Sequence, residues 1–110
     1  AANQAINHAS TAVQAAAAIA VACTATLPQL GFIHEDSDQS FVLDIADLFR
    51  ESTTLPIAFS VAKRIERGAP ETIDRLVRHT AAAEFRKQQT IPAMIDKIKE
   101  LFPHPESEQP

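Results

Sequence analysis

The pattern of apolar and polar positions divides the chain into helical runs separated by proline and glycine. Ala15–Ala25 is nearly all small or apolar, and Ser10, Thr11 and Gln14 precede it. Alanine is the strongest helix former, so the opening residues predict one long helix that packs closely against its neighbours. Leu27-Pro28 ends it, because a residue before proline avoids the helical region. A loop from Gly31 to Gln39 follows. Ser40 is the expected N-cap of a second helix running to about Thr54, with Pro56 breaking or restarting it. Ile57–Arg67 reads as an amphipathic helix with Ile57, Phe59, Val61, Ala62 and Ile65 among its apolar positions, and Gly68 closes it. Pro70 with Glu71 opens a helix to about Lys87. Thr90-Ile91-Pro92 opens the last, whose core stripe is Ile91, Met94, Ile95, Ile98, Leu101 and Phe102. Pro103-His104-Pro105 stops it, and residues 103–110 are expected to form a disordered tail. No repeat and no convincing strand is present. The expected fold is all-α, a bundle of four to six helices over residues 1–102.

One run breaks the logic of a plain core helix. Phe41–Phe49 is apolar except at Asp44 and Asp47. Residues three apart share a helix face, so the two carboxylates repel each other, and burying either without a cation is costly. A metal-binding helix has a use for such a pair.

Charge sharpens the division. All ten Lys and Arg residues lie between Arg50 and Lys99, so residues 1–49 carry −5 and residues 50–102 carry +3 within a net charge of −4. A basic footprint over the whole chain is missing, but a local one for nucleic acid is available. The opening alanine-rich run lacks a basic leader, and it reads as too weakly hydrophobic and too short for a membrane span. The one cysteine, Cys23, allows neither a disulfide framework nor a cysteine-based zinc site, which fits a reducing, cytoplasmic setting. The chain begins at Ala1, and its sole methionine is Met94, which suggests a piece of a longer protein.

Most catalytic chemistries are excluded by residue type. There is no tyrosine nucleophile, no G-x-S-x-G elbow, no glycine-rich phosphate loop and no adjacent His-Asp pair of the helical phosphohydrolase kind. What remains is His34, Asp44 and Asp47. One imidazole with one or two carboxylates suits Mg²⁺ or Mn²⁺, with water and substrate phosphate completing the coordination. Such an ion polarises a phosphate and activates an attacking oxygen. The competing reading pairs Asp47 with Arg50 or another base, uses Asp44 to help cap the helix start and leaves His34 an ordinary loop residue. Six phenylalanines with no Trp or Tyr argue against base stacking as a grip on single strands.

The run from Leu30 to Arg64, LGFIHEDSDQSFVLDIADLFRESTTLPIAFSVAKR, resembles the C-terminal helical domain of the CRISPR-associated "Cas one" integrase family in its type I-E form. The likeness rests on Leu30-Gly31-Phe32-Ile33-His34, on Ser40–Asp47 and on Pro56, nine residues after Asp47; it extends back to Asn3-Gln4 and forward through Val77-Arg78 and Phe85-Arg86. The resemblance implies a metal-dependent DNA integrase and endonuclease that inserts foreign DNA into a CRISPR array by attack of a 3′-hydroxyl on a phosphodiester. It puts His34 and Asp47 at the family's metal ligands and Asp44 at the nearby essential acid. It also implies a homodimer, a bridging "Cas two" partner and no membrane. Arg50, Arg75, Arg78 and Arg86 fall at DNA-binding positions, with Lys63, Arg64 and Arg67 less closely matched.

Two departures stand out. The family's glutamate ligand lies upstream of Ala1, and no acid precedes Glu35 here. Ala82 stands where the family helix is basic. The resemblance therefore implies a chain with weak metal binding and little activity alone. The alternative is a non-catalytic helical protein-interaction module on the same scaffold.

Overall fold

In the computed structural model, residues 2–25 and 39–101 are described. Among them are five α-helices and no strand, matching the expected all-α bundle. We number them α1 (Ala2–Thr24), α2 (Gln39–Leu48), α3 (Leu55–Glu66), α4 (Ile73–Gln88) and α5 (Thr90–Leu101). A π-helical turn, Arg50–Thr54, joins α2 to α3.

The spine of the bundle is α1. Its buried residues recur at helical spacing: Ala5, Ala9, Val13, Ala16, Ala17, Ala20, Val21 and Thr24. Small side chains let the other helices approach closely along its whole length. Towards the N-terminus, Ala5 and Ala9 pack with Ile57, Ala58, Val61 and Ala62 of α3 and Leu76, Val77 and Ala81 of α4. Towards the C-terminus, Val13, Ala16, Ala17, Ala20 and Val21 pack with Val42, Ile45 and Ala46 of α2 and Met94 and Ile98 of α5. Phe85 of α4 is partly buried against both clusters and joins them. Each fully buried Ile or Met side chain stabilises such a core by roughly 1.5–3 kcal/mol.

The sequence reading undervalued α1. At 23 residues it is long and apolar enough to cross a membrane by length and composition, so it was not too short for a span. Here its alanine stripe is instead buried by the other four helices.

Several boundaries differ from expectation. α2 begins at Gln39, so Ser40 is a first-turn residue and not the cap. The second helix also stops being α-helical at Leu48, six residues before the expected end near Thr54. Beyond it the amides of Thr53 and Thr54 both donate to Phe49 O, at 2.9 and 3.2 Å, and that of Leu55 to Arg50 O. Pro56 accounts for the wide turn: it has no N–H for the helix ladder, and its ring would crowd the carbonyl four residues back.

Gly68 closes α3 as expected, at φ +90°. Its amide bonds Ile65 O at 3.0 Å and that of Ala69 bonds Arg64 O at 3.1 Å, the paired bonds of a glycine-terminated helix. α4 starts at Ile73, not at Pro70-Glu71: Thr72 Oγ1 accepts from the Arg75 amide at 3.2 Å and is the cap. Gln89, at φ 54°, separates α4 from α5, and α5 opens at Thr90 as predicted. In the α5 stripe Met94 and Ile98 are buried and Ile91 and Ile95 half-buried, but Leu101 is exposed. Phe59 is also exposed, contrary to expectation, because it lies across α3 from Val61. The Leu27-Pro28 stop, His34, Phe102 and the tail from residue 103 lie outside the described residues.

Candidate functional site

The face of α2 opposite its core contacts carries the two candidate carboxylates. Val42, Ile45 and Ala46 point into the bundle, leaving Asp44 and Asp47 exposed together, as their spacing requires. Both line a cleft of about 300 Å³ between α1, α2 and the π-helical turn. Ser10, Val13 and Gln14 of α1 form one wall, Leu43, Asp44, Ala46 and Asp47 of α2 another, and Arg50 and Thr54 of the turn close the end.

No ion pair among the described residues engages either carboxylate. Among the described residues, ion pairs join His8 to Asp74, Arg78 to Asp74 and Lys97 to Glu100, and none involves Asp44, Asp47 or Arg50. Asp44 is the sixth residue of α2, beyond the first turn, so it does not cap the helix. The purely structural roles considered for these two acids are therefore not seen. Arg50, three residues beyond Asp47, lines the same cleft.

Two exposed carboxylates are acceptor-only oxygen donors of the kind that hold Mg²⁺ or Mn²⁺ alongside water and phosphate oxygens. They fit such an ion as a partial ligand set and not as a closed cage, since no group of three His, Cys, Asp or Glu forms among the described residues. His34 lies outside the described residues. The sequence reading missed Ser10, Gln14 and Thr54. Ser10 and Gln14 were detectable as polar residues four apart on an alanine-rich helix, but only the packing of α2 on α1 gives them a role.

The basic residues of α4 form a separate surface. Arg75 and Arg78 line a shallow groove with His79 and Ala82. Arg75 and His79 also border a smaller hollow with Arg64, Glu71 and Leu76, so Arg64 joins this surface from α3. Arg86 is exposed farther along α4, eleven residues and about three turns beyond Arg75. Arg78 pairs with Asp74 at 3.3 Å, and both side chains are more than half exposed. A pair so open to water is weak and yields readily to a phosphate.

No protein-family model and no solved structure matches the chain. Relatives do. The chain is 34% identical over 107 residues to the CRISPR-associated endonuclease Cas1 of Clostridium sp. (strain SY8519), covering 97% of this chain and 35% of that protein. It is 32% identical over 108 residues to the CRISPR-associated endonuclease Cas1 of Escherichia coli (strain K12), covering 98% of this chain and 34% of that protein. A 77-residue match at 38% identity links it to the CRISPR-associated endonuclease Cas1 1 of Rhodospirillum rubrum, covering 68% of this chain and 25% of that protein. The chain spans about a third of the length of the first two. None of these names specifies a subtype. By its near-complete alignment to several such proteins, the chain belongs to the CRISPR-associated endonuclease Cas1 family and corresponds to the C-terminal part of its members.

Proposed function

We propose that this chain supplies the helical half of a metal-dependent site that nicks and joins DNA, in a protein of the relatives' length that inserts short DNA segments into a CRISPR array. The observation that carries the reading is the cleft bringing Asp44, Asp47 and Arg50 together with no structural partner among the described residues. In the joining step a 3′-hydroxyl oxygen forms a bond to phosphorus as the bond from phosphorus to the leaving 3′-oxygen breaks. The attacking oxygen loses its proton, and the leaving oxygen gains one. A bound Mg²⁺ or Mn²⁺ supplies charge neutralisation at the phosphate and lowers the cost of ionising the attacking hydroxyl.

The side chains divide the work. Asp47, with His34, is the proposed metal ligand, and Asp44 places a second acceptor on the same wall. Arg50 meets the phosphate that enters the cleft. Arg75, Arg78 and Arg86 hold flanking DNA through its backbone, which makes binding salt-dependent and weakly selective for sequence. Homodimerisation, bridging by "Cas two", a cytoplasmic setting and the type I-E form belong to the same reading. So does weak activity of the chain alone, since the family's glutamate is not among its residues.

The interaction-module alternative draws on Ile19, Leu48 and Phe59, apolar side chains that are each more than half exposed. One experiment separates the two. This chain is joined to the upstream two-thirds of the E. coli relative, and strand joining is measured with Mg²⁺ or Mn²⁺ in the parent chimera and its His34→Ala and Asp47→Ala variants. The integrase reading expects joining to be lost with helicity retained. Joining that survives in both variants overturns it.

A further inference from the structure

A chain of polar side chains ties α4 to the π-helical turn. Thr53 is 1% exposed, and its hydroxyl donates to Gln88 Oε1 at 3.2 Å across 35 residues of sequence. Gln88 Nε2 in turn donates to Glu84 Oε2 at 2.8 Å, one turn earlier on α4. The orientation is chemically fixed. A carboxylate only accepts, so Glu84 requires the amide nitrogen of Gln88, and the amide oxygen is left facing Thr53. Ser52 Oγ lies 3.2 Å from Thr53 Oγ1 and extends the chain along the turn.

A π-helical turn is a rare conformation, here lying directly before the Pro56 start of α3, so a tie from another helix bears on its shape. Arg50 and Thr54, on the same turn, wall the Asp44–Asp47 cleft. We infer that Glu84, Gln88 and Thr53 are positioning residues: through them α4 holds the π-helical turn so that Arg50 and Thr54 face the two carboxylates. The effect on joining rests on the function proposed above; the brace itself does not.

Two measurements test the inference. The first is amide hydrogen exchange in the 110-residue chain at Thr53, Thr54 and Leu55, whose amides close the turn on Phe49 and Arg50. Thr53→Val and Gln88→Leu should each speed exchange there about five- to tenfold, the worth of one net hydrogen bond, and leave Met94 and Ile98 unchanged. Thr53→Ser and Glu84→Gln keep the required hydroxyl and acceptor and should exchange as the parent does. The second is joining by the chimera: Thr53→Val should lower kcat by a similar factor at unchanged DNA KM, and Thr53→Ser should restore it. Unchanged exchange in both Thr53→Val and Gln88→Leu overturns the brace. Faster exchange with unaltered joining overturns the positioning role. A parent chimera that joins no DNA counts against the proposed function instead, and the exchange result still decides the brace.

Discussion

Replacing Asp47 with asparagine should stabilise the metal-free chain, and the sign of that change separates a binding carboxylate from a structural one. Asn keeps the shape of Asp and removes its charge. Asp44 and Asp47 stand three apart on the exposed face of α2, and like charges at that spacing cost an isolated helix roughly 0.2–0.5 kcal/mol. Asp47 also sits in the last turn of α2, where a negative charge opposes the helix dipole by roughly 0.3–1 kcal/mol. The second effect is diluted because the chain continues into the π-helical turn, and attraction to Arg50 offsets part of the first. A net gain of about 0.5 kcal/mol remains, which raises Tm by about 2–4 °C in a domain this size. Had Asp47 formed a structural ion pair, its substitution would instead cost stability; a cap role for Asp44 would show as a loss of about 0.5–2 kcal/mol in Asp44→Ala, because Asn caps a helix as well as Asp. The assay is thermal unfolding followed by far-ultraviolet circular dichroism in chelator at low salt, for Asp44→Asn, Asp47→Asn and the double variant. Added salt should shrink the gain, because screening weakens exposed like-charge repulsion. A Tm that falls by more than about 2 °C in Asp47→Asn would refute the reasoning, since such a fall means that this carboxylate holds the fold.

Other outcomes follow from the same packing. Ile98→Ala, at a fully buried α5 position against α1 and α2, should cost about 2–5 kcal/mol by chemical denaturation. Gly68→Ala should cost about 1–2 kcal/mol for backbone reasons alone, because φ is +90° and nothing lies within 4 Å of the added methyl group. Thr72→Ala should remove about 1 kcal/mol with the α4 cap, whereas Glu71→Ala should be nearly neutral, which a denaturant midpoint comparison would show. In the chimera, Arg75→Ala or Arg86→Ala should weaken duplex binding for all sequences alike and reduce the salt slope by about one; an unchanged slope removes that arginine from the DNA surface.

The helices were legible where the signal is local and obligatory. Gly68, Pro56 and the Thr90-Ile91-Pro92 start act through backbone restrictions that no packing overrides, and all three fall where the pattern puts them. The start of α4 was misread because Pro70-Glu71 looks like a helix opening, whereas the true cap, Thr72, is followed three residues later by Arg75 and not by the acid of a capping box. Phe59 was misassigned by counting its hydrophobicity without its angle around α3. The shared face of Asp44 and Asp47 was legible because helical geometry alone sets it. The cleft was not, because it exists only where α2 and its wide turn lie against Ser10 and Gln14 of α1.

That difference changes which element carries the site. Read along the chain, Gly31–Arg50 is the centre and the alanine-rich helix is a prelude. In the fold, every other helix packs on α1, and the cleft is a gap in that packing. Val42, Ile45 and Ala46 face that spine, and helical spacing leaves the two carboxylates of α2 on the opposite, exposed face. Asp44 and Asp47 thus stay hydrated and available at little cost in burial, while Val42 and Ile45 on the same helix anchor them. The candidate carboxylates belong to α2, but α1 gives their cleft a wall, and the π-helical turn ahead of Pro56 adds Arg50 to its lining.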